Sequence, residues 1–195
     1  MTLFVLVLPA LVAPAPAAPP TLDQLQELLE AIPEALIDRK PGAMPGLVAK
    51  ARAGWNKARP GLLKVLPEPD LTAIDRQFKA MLNMKPREQA IGALEISAAL
   101  SRVQPRSRQA DLLQADRTAM LAWCRVDAGQ LDQLPDMAQA FKPLLDQDQG
   151  RHPQAVLGVQ AALKRLQESQ QNGKPAAAKK ALQELLDFVD VLEKP

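Results

Sequence analysis

From Leu22 onward, apolar side chains recur every three or four positions in successive stretches, and nearly every boundary between stretches holds a proline or a glycine. A chain patterned this way buries its apolar residues on one side only as amphipathic helices, because a strand would scatter them over both faces of a sheet. Composition agrees. Ala, Leu, Gln, Lys and Glu dominate, tyrosine is absent and aromatic residues make up only 3% of the chain, a mixture that favours helix over strand. The expected fold class is all-α: an antiparallel helical bundle built from two similar helical hairpins.

The stripes set the expected helices. Thr21 and Gln24 form a capping-box start for Leu22, Leu25, Leu28, Leu29, Ile32, Leu36 and Ile37, with Pro33 predicting a kink and Pro41–Gly42 an end. A second helix is expected from Pro45 to about Arg59, followed by a turn opened by Pro60 and Gly61 and running to Leu66. Asp70 is expected to cap a third helix carrying Leu71, Ile74, Phe78, Met81 and Leu82. Pro86 suits the first turn of a fourth, and Pro105 opens a fifth that runs to Ala128 with Gly129 as its C-terminal cap. Leu131, Leu134, Met137, Phe141, Leu144 and Leu145 mark a sixth, interrupted by Pro135 and Pro143. Val156, Val159, Leu163 and Leu166, then Ala178, Leu182, Leu185 and Val189, form a final hairpin joined through Asn172–Pro175.

The first 20 residues carry no charged side chain. Leu3–Val12 followed by Ala15, Pro16 and Ala17 reads as the apolar core and small-residue cleavage site of an export signal, giving a signal peptide at 1–17 and a single helical-bundle domain at 18–195. The missing Lys or Arg near Met1 departs from the usual pattern. Pro9, Pro14 and Pro16 argue against a spanning helix, so no transmembrane helix is expected after cleavage. The expected location is therefore periplasmic or extracellular. The only cysteine, Cys124, lies far from this segment, which leaves no lipid-accepting Cys and no internal disulfide.

A shift of 88 residues places Ala90 on Ala178, Ala93 on Ala181, Leu94 on Leu182, Phe78 on Leu166 and Leu71 on Val159. Upstream, Arg59, Pro60, Leu62 and Leu63 resemble Lys142, Pro143, Leu144 and Leu145. The pattern predicts duplicated halves at about 55–103 and 137–195. These tandem hairpins, each preceded by a Trp or Phe and a basic-Pro-Leu-Leu element, end in the helix ALQELLDFVDVLEK at Ala181–Lys194. Together they resemble uncharacterised bacterial extracytoplasmic helical-hairpin proteins, many of them lipoprotein-like. The resemblance spans roughly residues 55 to 195 and implies location and fold; it implies no functional residues, and this chain departs from it in lacking the lipid-accepting Cys.

Chemistry is sparse. His152 is the single histidine, too few for the paired Glu-x-x-His motifs of a di-iron bundle, and the Cys-x-x-Cys-His of attached haem is absent. Met81 and Met84 have a spacing that suits a soft metal such as Cu(I), but Met81 also continues a core stripe. Cys124 falls in register with Leu113 and Met120, which points it inward. Asp and Glu lie at spacings typical of solvated helix faces, so no catalytic residue, metal ligand or cofactor is assigned and the chain is read as no enzyme. A formal charge of +2 gives no reason to invoke nucleic acid.

One segment is unusual. From Arg39 to Pro67 there is no acidic residue, while Arg39, Lys40, Lys50, Arg52, Lys57, Arg59 and Lys64 are all basic. On a helical wheel Lys50 and Lys57 flank one side of the Leu47, Ala51, Trp55, Ala58 face and Arg52 and Arg59 the other, a layout suited to an anionic surface. Lys50, Arg52, Trp55, Lys57 and Arg59 are therefore the candidate contact residues. The expected function is non-catalytic interaction with a protein partner or an anionic envelope surface; the alternative is a bundle that holds a small molecule or metal.

Overall fold

Each apolar stripe becomes a helix. The computed structural model describes residues 22–103 and 107–194, so the expected signal peptide and the expected cap Thr21 lie outside the described residues. Among the described residues eight α-helices follow one another: α1 Leu22–Ile37, α2 Met44–Leu62, α3 Glu68–Met81, α4 Pro86–Ser101, α5 Arg108–Asp127, α6 Met137–Asp148, α7 Pro153–Gln171 and α8 Pro175–Glu193. Short 3-10 turns at Pro41–Ala43 and Leu131–Gln133 precede α2 and α6, and no strand occurs among the described residues. The fold is a helical bundle. None of these helices is long and apolar enough to cross a membrane.

α1 lies against α4 and α2, α5 against α8, α4 and α6, and α7 against α8 along much of its length. α3 covers α4, and the α4–α5 contact joins the first four helices to the last four. The stripes meet in one cluster that includes Leu25, Leu29 and Ile32 of α1, Val48 and Trp55 of α2, Phe78 of α3, Leu94 of α4, Leu112 of α5, Phe141 of α6, Val159 of α7 and Leu185 of α8. Burying each such side chain contributes about 1.5–3 kcal/mol, and no disulfide is needed to hold the stack.

Several boundaries differ from expectation, the first being that of the sixth helix: α6 begins at Met137, and Leu131 and Leu134 lie before it, in the 3-10 turn and the extended residue that follows it. Pro60 and Gly61 belong to α2, which continues to Leu62; in the last turn, Pro60 forfeits a single backbone hydrogen bond, a cost the buried stripe offsets. Asp70 is not the cap of α3 but lies in its first turn behind Pro67, where its N–H donates to the Pro67 carbonyl at 3.0 Å and its charge faces the positive end of the helix dipole. α5 is described from Arg108, capped by an extended Ser107 whose hydroxyl accepts the Ala110 N–H at 3.1 Å, while the expected start at Pro105 lies outside the described residues. Pro33 lies within α1, as its stripe required, with its ring buried.

Candidate functional site

The acid-free segment forms the turn after α1, the 3-10 turn, all of α2 and the turn that follows it. The face bearing Val48, Ala51, Trp55 and Ala58 is buried in the core. Trp55 is 1% exposed and stacks on Phe78 with ring centroids 6.0 Å apart. Its Nε1 donates to Asp75 Oδ1 at 2.6 Å. Arg59 joins the same carboxylate, its Nε donating to Asp75 Oδ2 at 2.9 Å while Nη2 donates to Glu68 Oε1 at 3.0 Å. Trp55 and Arg59 thus hold α2 to α3, a correction to their expected role on an outward contact face. The sequence could not show this, because Asp75 stands 20 residues beyond Trp55 and only packing brings them together.

Lys50, Arg52 and Lys57 fare differently. Lys50 and Lys57 are exposed and Arg52 is half-buried, and none has an ion-pair partner among the described residues. Lys50 and Lys57 are seven apart, which on a helix leaves them within about 20° of each other. Lys64, exposed in the turn after α2, follows at the same interval. The outer surface between the cations holds Gly46, Ala49 and Ala53 together with Pro45, Asn56 and Pro60, all exposed and none longer than Asn56. Beyond it the chain turns sharply: the N–H groups of Val65 and Leu66 both donate to the Leu62 carbonyl, at 3.0 and 2.9 Å. Leu62 packs against the core and Leu66 is buried, while Leu63 and Val65 between them are 51% and 57% exposed.

A second concentration of charge was not anticipated. In a cleft of about 350 Å³ between α1, α5 and α8, Glu30, Glu34 and Asp38 face Asp116, Asp190 and Glu193 over an apolar floor that includes Leu113 and Leu186. Burial, reinforced by Glu30, Glu193, Asp190 and Glu34, pushes Asp116 up to about 7. Burial also raises Glu30, against the opposing pull of Arg117, and raises Glu34 with help from Glu30. Arg117 is the one buried cation of this region among the described residues: its Nε donates to Glu30 Oε1 at 2.6 Å and its Nη1 to Ser101 Oγ, while Nη2 is buried with no partner. Part of the cluster was visible in sequence, since Glu30, Glu34 and Asp38 are like charges four apart on one face, an arrangement that disfavours an isolated helix. The convergence with α5 and α8 was not.

The remaining candidates are dispersed. Met81 is fully buried between α3 and α4, its side chain against Gly92, and Met84 is only partly buried at the following turn. His152 stands at the N-terminal boundary of α7 without a capping side-chain bond. Cys124 is fully buried, and burial, with Asp127 nearby, pushes its thiol up to about 12. Among the described residues no three His, Cys, Asp or Glu side chains are grouped to hold a metal ion. The chain matches no family model, no curated protein and no solved structure.

Proposed function

We propose that this is a non-catalytic helical protein of the cell envelope, periplasmic or secreted, that meets an anionic surface with the outer face of α2. The observation that carries the reading is the set of unpaired cations Lys50, Arg52 and Lys57 on a helix whose apolar side is already taken up by the core. A solvated helix usually alternates its charges, whereas the whole segment from Arg39 to Pro67 contains no acid to neutralise these. The short side chains between the cations allow α2 to lie close to a flat surface. The location rests on the apolar first 20 residues and on the resemblance to extracytoplasmic proteins.

The test is co-sedimentation of the full chain with vesicles of anionic or neutral lipid over a salt series. Each cation at such a surface is worth about 1 kcal/mol, so reversing Lys50, Arg52 and Lys57 to Glu lowers affinity by at least about 100-fold, and salt weakens the wild type in the same direction. Arg59 is left in place because it holds Asp75. Equal binding by the reversed variant, or binding indifferent to salt, sinks the proposal.

A further inference from the structure

Among the described residues five large aliphatic side chains are exposed; Leu82, Leu157 and Val191 stand singly at the end of α3, on α7 and on α8, whereas two, Leu63 and Val65, stand together at the far end of α2. Leu63 and Val65 are each more than half exposed and flank the exposed Lys64, seven residues after Lys57 in the sequence. Single exposed aliphatics carry no message, but this pair stands at the tip of the most cationic helix of the chain. The turn is held rigidly. Leu62 and Leu66 anchor it on either side, and the Val65 and Leu66 N–H groups are already bonded to the Leu62 carbonyl, so neither donor loses water on entering an apolar medium. Nor does the fold require aliphatic residues there: the turn after α6, which follows α5 as α2 follows α1, makes the same pair of bonds, from the Arg151 and His152 N–H groups to the Asp148 carbonyl, and exposes Gln149, Gly150 and Arg151 instead.

We infer that Leu63–Lys64–Val65 is a lipid-inserting wedge, and that the partner of the α2 face is a phospholipid bilayer with anionic headgroups. The inference rests on the proposed docking of that face and names its partner. Lys57 and Lys64 stay at headgroup level, their stems lying along the interface, while Leu63 and Val65 reach the acyl boundary. A soluble or wall-bound polyanion offers the same charge but no apolar phase, and the two surfaces separate on that difference.

Two measurements on the full-length protein decide it. The Leu63→Ser/Val65→Ser double variant is titrated against vesicles of mixed phosphatidylglycerol and phosphatidylcholine, and run in parallel on immobilised dextran sulfate. The expected result is an affinity for vesicles lower by about tenfold or more, with retention on dextran sulfate and melting temperature unchanged. A Val65→Cys variant carrying a polarity-sensitive fluorophore then shifts to the blue on vesicles, is quenched by acyl-brominated lipid and does not respond to dextran sulfate; Cys124, being buried, is not labelled in the folded protein. If the Ser variant binds vesicles like the wild type and the fluorophore stays in water, the wedge is overturned while docking through α2 stands. If the wild type binds neither vesicles nor dextran sulfate, both fail together.

Discussion

Helices α1–α4 and α5–α8 repeat one order of elements, and in each set the first helix packs on the fourth and on the second. The correspondence reaches single hydrogen bonds. After α1, Lys40 N–H donates to Ala35, Arg39 to Leu36 and Ala43 to Lys40; after α5, 90 residues on, Gln130 donates to Arg125, Gly129 to Val126 and Gln133 to Gln130. Arg39 and Gly129 both take positive φ, 60° and 80°, at the point where the chain leaves the helix. Met44, Val48 and Ala51 enter the core where Met137, Phe141 and Leu144 do in the second set.

The two sets then part. α7 and α8 pack along far more of their length than α3 and α4. One reason is Gly158: a Cβ there would lie 2.1 Å from the Phe188 ring, so the bare backbone lets the ring of α8 settle on α7. The equivalent of Gly158 in α3, 88 residues earlier, is Asp70. The first set instead lengthens α2 and ties it to α3 through Asp75, leaving cations and two aliphatic side chains outside. Both halves leave single aliphatics outside, Leu82 in the first and Leu157 and Val191 in the second, but only the first sets a pair of them, Leu63 and Val65, beside unpaired cations, and surplus that packing does not explain is where binding is to be sought.

The largest test strikes the contact between the halves. Arg117 of α5 is paired with Glu30 of α1 and is 4% exposed. Arg117→Leu leaves Glu30 buried among like charges, and a loss of about 3–5 kcal/mol in denaturant unfolding is expected. A loss below about 1 kcal/mol would mean that the halves do not depend on this pair. Next is Gly158→Ala, expected to cost about 1–3 kcal/mol by displacing Phe188, with hydrogen exchange rising in α7–α8 before α3–α4. If Phe188→Ala added to Gly158→Ala removes none of that cost, the close approach is not its cause.

A further effect is in pH. Asp116 ionises in the folded chain at about 7 rather than at its ordinary 3.8, so the folded state binds more protons than the unfolded one between these values. The stability this confers is complete below about pH 4 and is lost as pH rises through about 7. Asp127 works in the opposite direction. Burial raises it, but hydrogen bonds from Lys179 and Arg87 outweigh burial and hold it below the usual range, so its contribution is present above the ordinary aspartate value and is lost in acid. The melting temperature is therefore expected to fall from about pH 4 to 7, and Asp116→Asn to flatten that decline. An unchanged slope in the variant would exclude Asp116 as its source.

Much of this architecture is legible without coordinates. Prolines and glycines mark the helix boundaries because they lack a donor or a side chain, and the three-and-four spacing of Leu, Ile, Val and Ala names the buried face of each helix from local geometry alone. The same logic found Cys124 and Met81 inward and the acid-free run from Arg39 to Pro67. It misread Trp55 and Arg59 as outward contacts, since nothing local says that Asp75 waits across the α2–α3 interface. Nor could it gather Glu30, Asp116 and Asp190 into one cleft, or see Leu63 and Val65 stand clear while Leu62 and Leu66 turn in. Periodicity records which side of a helix is greasy; which helix that side meets depends on distant segments arriving together, and that is decided only when the bundle closes.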